Sequence, residues 1–112
     1  ILFLLMCHCS TIMKGNIYWL FALVLNEKTS LNIASEMMNE LKAFGVGSRP
    51  YFWSLHEQPI LKDLKDIFRN RCHVSENISR NGFYIPSGLA LTADEIDKVS
   101  DSLIAILHKN AL

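Results

Sequence analysis

The sequence predicts an α+β fold, a small mixed or antiparallel sheet with helices packed on it. Three observations carry that expectation. Residues 17–25, IYWLFALVL, are apolar on both faces and rich in β-branched and aromatic residues, as a doubly covered strand requires. The phrase Thr92-Ala93-Asp94-Glu95 opens a helix with a capping box, in which the threonine oxygen accepts from the N3 amide and the glutamate reaches back. Between them the patterns alternate as strand, helix, strand, helices, strand, helix, with no repeat, low-complexity tract or interdomain linker.

Each element has its own signal. After the first strand, residues 26–29 form a polar turn and Ser30 is the expected N-cap of a helix running to about Phe44. Ile33, Met37, Leu41 and Phe44 share its inner face, and Gly45 supplies a left-handed stop. Residues 46–53, VGSRPYFW, are expected to be extended, with Pro50 at a sheet edge or strand end because it cannot donate to a ladder. Pro59 suits a first helical turn, and Ile60, Leu61, Leu64, Ile67 and Phe68 follow at helical spacing. A short helix is expected over residues 73–80 with Val74 and Ile78 inward, ending at Asn81-Gly82. Phe83, Tyr84 and Ile85 add a short strand that Pro86-Ser87-Gly88 stops. Ile96, Val99, Leu103 and Ile106 line one face of the last helix, and His108 and Lys109 suit its negative end.

Composition narrows the function. With 112 residues, 50% hydrophobic and 20% charged, the chain can build one core but not two. Eleven basic residues balance eleven acidic ones, so no global field draws it to nucleic acid or an anionic membrane. Cys7, Cys9 and Cys72 make an odd count without a disulfide framework, which suits a reducing, cytoplasmic setting. The opening run ILFLLMCHCSTIM is shorter than the about 20 apolar residues a membrane helix needs. It also lacks the basic start of a signal peptide.

Few groups suggest chemistry. Cys7-His8-Cys9 with Cys72-His73 offers zinc-type donors, but adjacent residues splay apart and the usual two-residue gap is missing, so no metal is expected and the cysteines are read as buried and inert. Cys72-His73 is too close in sequence for an activated nucleophile and its base. Lys65, Arg69, Arg71 and Arg80 are interleaved with Asp63, Asp66 and Glu76, the pattern of a solvated, charge-balanced face. The stretch from Arg49 to Pro59, RPYFWSLHEQP, is richer. An arginine, three aromatics and a histidine fall together at a loop-like strand end, where binding groups concentrate. The alternative is an edge strand whose aromatics cap the core while Arg49 and His56 face water.

Taken together, YWLFALVL, GVGSRPYFWSLHEQP and SENISRNGFYIPSGLALTADEIDKV resemble the C-terminal small domain of the DegT/DnrJ/EryC1/StrS aminotransferases, in particular the perosamine synthetase branch. The resemblance covers residues 15–107; it divides the chain into an unmatched apolar segment, 1–14, and a small domain, 15–112, like the C-terminal domain of fold type I aminotransferases. It implies pyridoxal-phosphate chemistry on nucleotide-linked keto sugars in full-length relatives. It also places Arg49, Tyr51, Phe52 and His56 on the substrate side of the cleft, with Pro86 and Ser87 as architecture.

The Schiff-base lysine and the aspartate that pairs with the pyridine nitrogen belong to the family's large domain. Lys14, Lys28, Lys42, Lys62, Lys65, Lys98 and Lys109 sit in none of that lysine context. No catalytic residue, and no bound pyridoxal phosphate, is therefore expected of this chain alone. A homodimer is expected, because an apolar patch left by a missing domain invites association. Three functions compete: an inert small domain with residual nucleotide-sugar affinity, an interaction module that pairs with itself or a complete aminotransferase, and one half of a split enzyme.

Overall fold

The computed structural model of the chain describes residues 2–5, 19–25, 33–64, 67 and 72–110. Among these residues four strands, β1 (Leu2–Leu5), β2 (Phe21–Leu25), β3 (Arg49–Pro50) and β4 (Gly82–Ile85), form one antiparallel sheet in the order β1-β2-β4-β3. Among the described residues three helices accompany it: α1 (Ile33–Ala43), α2 (His73–Asn81) and α3 (Ala93–Lys109). Two 3₁₀ segments, Leu55–Glu57 and Pro59–Leu64, lie between β3 and α2. The α+β expectation holds. No helix among the described residues is long and apolar enough to cross a membrane.

The inner strands are the ones with apolar residues on both faces. Ala22, Leu23, Val24 and Leu25 of β2 are all buried, and β4 contributes Phe83, which has no exposed surface, and Ile85. β2 and β4 pair in the register Phe21 with Ile85 and Leu23 with Phe83. On β2's other side, Leu4 of β1 lies opposite Leu23. Arg49 and Pro50 pair with Tyr84 and Phe83, so the proline lies on an edge strand, as its missing N–H requires. Only these two residues of the extended stretch 46–53 form strand.

Helix α1 buries Ile33, Ala34, Met37 and Leu41. Phe44, expected on the same face, is instead 48% exposed. The cause is local: Gly45 takes φ +75°, its N–H bonds the Lys42 carbonyl, and Val46 N–H bonds the Leu41 carbonyl at 2.9 Å. This double closure reverses the chain, turns Phe44 outward and puts Val46 into the core beside Leu41. In α3, Val99 and Ile106 are buried and Leu103 and Leu107 pack against the core. The capping box is present, with Glu95 N–H donating to Thr92 Oγ1 and Thr92 N–H donating to Glu95 Oε2. Ile96 remains half exposed.

The middle of the chain departs from expectation. Residues 59–64 wind as a 3₁₀ helix, not an α-helix. The tighter three-residue turn displaces Ile60 from the stripe that a 3.6-residue helix would form, and Ile60 is 89% exposed. Ile67 is exposed as well. In α2, Val74 is exposed and Ile78 only half-buried, because the packed face of this helix carries Ser79 rather than an apolar stripe. The expected turn at 26–29, Ser30, Lys65, Asp66, Phe68, Arg69, Arg71, the first residues of the run 17–25, and Cys7, His8 and Cys9 lie outside the described residues.

Helix α2 passes into β4 without a loop, since Asn81 ends the helix and Gly82 begins the strand. A Cβ on residue 82 would overlap the Ile78 carbonyl oxygen and press on Tyr51 Cβ at 3.1 Å. Gly82→Ala is expected to cost about 1–3 kcal/mol through this overpacking. Gly47→Ala, where an added Cβ meets nothing within 4 Å, should change stability by less than about 0.5 kcal/mol. Urea unfolding of the two variants checks the contrast.

Candidate functional site

The chain leaves β3 at Pro50 and crosses the start of β4, where Tyr51 N–H donates to the Gly82 carbonyl at 3.0 Å. From there residues 51–57 lie against α2. Their attachment is polar: Ser54, buried, donates through Oγ to Ser79 Oγ at 3.1 Å and accepts from Ser75 Oγ at 3.2 Å. Ser79 in turn donates to the Glu76 carbonyl. Three small hydroxyls thus hold a loop to a helix where larger apolar side chains would push them apart.

Beyond Ser54 the contact becomes ionic. His56 is 6% exposed, and its Nε2 lies 2.8 Å from Glu76 Oε1. Arg80, one turn further along α2, bonds Glu57 Oε1 and lies 3.7 Å from Glu76 Oε2. His73 Nδ1 stands 3.8 Å from Glu76 Oε2. The hydrogen bond from His56 and then the charge of Arg80 hold the Glu76 carboxyl below its ordinary value, outweighing partial burial. Glu76 is therefore ionised and can only accept, so His56 Nε2 is the donor. Glu57 Oε2 is buried without a hydrogen-bond partner. Neither Cys72 nor His73 is deeply buried, in contrast to the buried cysteine expected there.

The outward side of the same loop is aromatic. Phe52 lies 6.4 Å from Trp19, 6.0 Å from Tyr84 and 5.8 Å from Tyr51, ring centre to ring centre. Trp19, Phe52 and Trp53 are each more than half exposed, and Arg49 is exposed beside them. Ser87 Oγ donates to the Trp19 carbonyl at 2.8 Å, fixing the entry to β2 against the exit from β4. Two open hollows flank the cluster, one of about 290 Å³ between Arg49, Tyr84 and Ser87, the other of about 710 Å³ between Phe52, Trp53 and Cys72. A third groove, of about 610 Å³ and strongly apolar, runs between α3 and the sheet, lined by Phe21, Ile85, Leu89, Leu91, Ile96 and Ile104.

Of the predicted site residues, Arg49, Tyr51 and Phe52 gather on the aromatic face, and Trp19 and Tyr84 join them. His56 is placed elsewhere, buried in the ion-pair network and not facing water. Arg80 and Glu76, read as a solvated charged face, are part of that network. A pyridoxal phosphate does not fit Lys42, Lys98 or Lys109: Lys42 and Lys98 are exposed, and Lys109 is exposed and paired with Glu40 at 2.8 Å. None is enclosed as a Schiff-base lysine must be.

The model of the DegT/DnrJ/EryC1/StrS aminotransferase family matches residues 4–104, beginning within the apolar segment whose Leu2–Leu5 pairs with β2. No curated protein matches the chain.

Because the folded state lowers the Glu76 pKa, its contribution to stability is full above the ordinary value of 4.5 and is lost as pH falls through the folded value. Glu40 and Glu95 are lowered too, by Lys109 and by the Thr92 backbone respectively. Melting temperature should therefore drop on acidification below about pH 4.5. Glu76→Gln should flatten that drop without abolishing it; an unchanged acid limb would show that the His56–Glu76 contact contributes nothing.

Proposed function

The chain belongs to the DegT/DnrJ/EryC1/StrS aminotransferase family, and from that premise we propose that it is a small domain that presents a nucleotide-sugar contact surface and carries no transamination chemistry of its own. The observation that supports this reading is the aromatic face: Arg49 for a phosphate or carboxylate, with Phe52 and Trp19 as ring platforms beside it. His56 acts behind that face, holding residues 51–57 to α2 instead of touching a ligand. The perosamine synthetase branch, and with it a sugar carried on a nucleotide, is the substrate class this reading favours. A cytoplasmic setting is part of it, in keeping with the odd cysteine count.

A second reading rests on the apolar groove. Leu89 is 98% exposed and Ile96 and Ile104 are about half exposed, a surface suited to burial against a protein. In this reading the chain is an interaction module, docking on a second copy or on the large domain of a complete or split aminotransferase.

Titrating the tag-free chain with a panel of nucleotide sugars, followed by the fluorescence of exposed Trp19 and Trp53, separates the two. Saturable quenching is expected, weakened about tenfold, or about 1.4 kcal/mol, by Arg49→Ala and by Phe52→Ala. Pyridoxal phosphate added alone should form no stoichiometric, borohydride-trapped adduct. A folded chain that binds none of the sugars refutes the contact surface; a dimeric mass in the same buffer then supports the module.

A further inference from the structure

We propose that His56, Glu57 and Glu76 form a binding site for a transition-metal dication, Zn²⁺ being the expected ion, with His73 within reach as a fourth ligand. The proposal concerns the inner face of the loop 51–57 and is independent of what the outer aromatic face binds. One donor atom from each of His56, Glu57 and Glu76 lies within 4.8 Å of the others. His73 Nδ1 is 3.8 Å from the Glu76 carboxylate.

The local structure explains why three such donors converge with His73 beside them. His56 and Glu57 are neighbours on a 3₁₀ turn, where successive side chains are about 120° apart, so both flank α2. His73 and Glu76 are three apart on α2 and share one of its faces. The serine contacts of Ser54 with Ser75 and Ser79 fix the two backbones against each other. Donors from two rigidly joined elements are what a metal site needs.

Two observations point to a cation. Glu57 Oε2 is buried with no hydrogen-bond donor, and a carboxylate oxygen is rarely left so. The charges are also incomplete among the described residues: Arg80 is bonded to Glu57 and lies 3.7 Å from Glu76, a single guanidinium facing two carboxylates. A dication takes up the remaining negative charge, with His56 coordinating as neutral imidazole through Nε2, the nitrogen that faces Glu76, and its ring proton on Nδ1. Arg80 keeps its bond to Glu57 Oε1, the kind of outer contact that orients a ligating carboxylate.

The donor set selects the ion. Imidazole nitrogen with carboxylate oxygens suits zinc, whereas calcium and magnesium take oxygen donors. Ligands about 2.0–2.1 Å from zinc stand roughly 3.3 Å apart in a tetrahedron. The His56–Glu76 separation of 2.8 Å therefore opens only slightly on binding. The site clips the loop to α2 and so stiffens the segment that carries Tyr51, Phe52 and Trp53.

The test uses the tag-free chain dialysed against chelator, titrated with Zn²⁺ by calorimetry and with Co²⁺ by visible absorption. The expected result is one Zn²⁺ per chain at micromolar affinity or tighter, and the intense bands of four-coordinate Co²⁺, which Zn²⁺ removes. Glu57→Gln and His56→Gln should each weaken Zn²⁺ at least about tenfold, the lower end of what losing even an outer partner of a ligand costs. His108→Gln, on the exposed end of α3, should leave affinity unchanged. No stoichiometric binding by the folded wild type, or unaltered binding by Glu57→Gln, overturns the proposal and leaves an ion-pair network alone. Where a variant does not fold, imidazole resonances of the wild type decide. Zn²⁺ must shift those of His56, and a shift confined to His8 or His108 overturns the site.

Discussion

Because residue 82 has no side chain, α2 can end at Asn81 and the chain can enter the middle of the sheet one residue later. The backbone of Gly82 sits against the Ile78 carbonyl on one side and the Tyr51 side chain on the other. That approach joins three parts of the molecule. It fixes α2 to β4, brings the exit of β3 across their junction, and lays residues 51–57 along the helix. Everything described at the functional face, outer or inner, hangs on this loop. Phe83, the next residue, is fully buried between β2 and β3, so the same junction is also anchored in the core.

The parts of the fold legible in the sequence were those set by strong local rules. The capping box at Thr92 and Glu95 needs only two side chains and a backbone turn. The left-handed Gly45 and the edge position of Pro50 follow from what glycine permits and proline lacks. Apolar periodicity served well where a helix meets the core, as in Ile33, Met37 and Leu41. It misled where the partner surface is polar. Val74 and Ile78 look like an inward pair, but α2 faces a loop held by serines, and the helix turns its polar face inward. Phe44 leaves the core and Val46 fills its place for a reason that lies one residue away, in the turn geometry at Gly45.

The candidate site divides in the same way. Arg49, Tyr51 and Phe52 were legible because they cluster in sequence and lie on one strand end. Trp19 was missed, since it stands in an apolar run that reads as strand, and only its contact with Phe52 reveals its role. His56, Glu57 and Glu76 are separated by up to 20 residues. Their convergence depends on how a 3₁₀ turn meets a helix, which no spacing rule encodes. Ser87 could have been suspected from the Pro-Ser-Gly break, but its acceptor, the Trp19 carbonyl, lies 68 residues away.

The two margins of the sheet differ in kind. Tyr51 N–H points inward to Gly82, so by the alternation of a strand the nitrogen of Pro50 points outward, where it has no hydrogen to offer. At the opposite margin stands β1, Leu2–Leu5, whose sequence LFLL contains no proline, glycine or charge to discourage a further strand. Among the described strands the sheet thus has a sealed side and a permissive one. Lengthening by hydrogen bonding, whether by neighbouring chain or by a foreign segment, has a direction built in by a single imino acid.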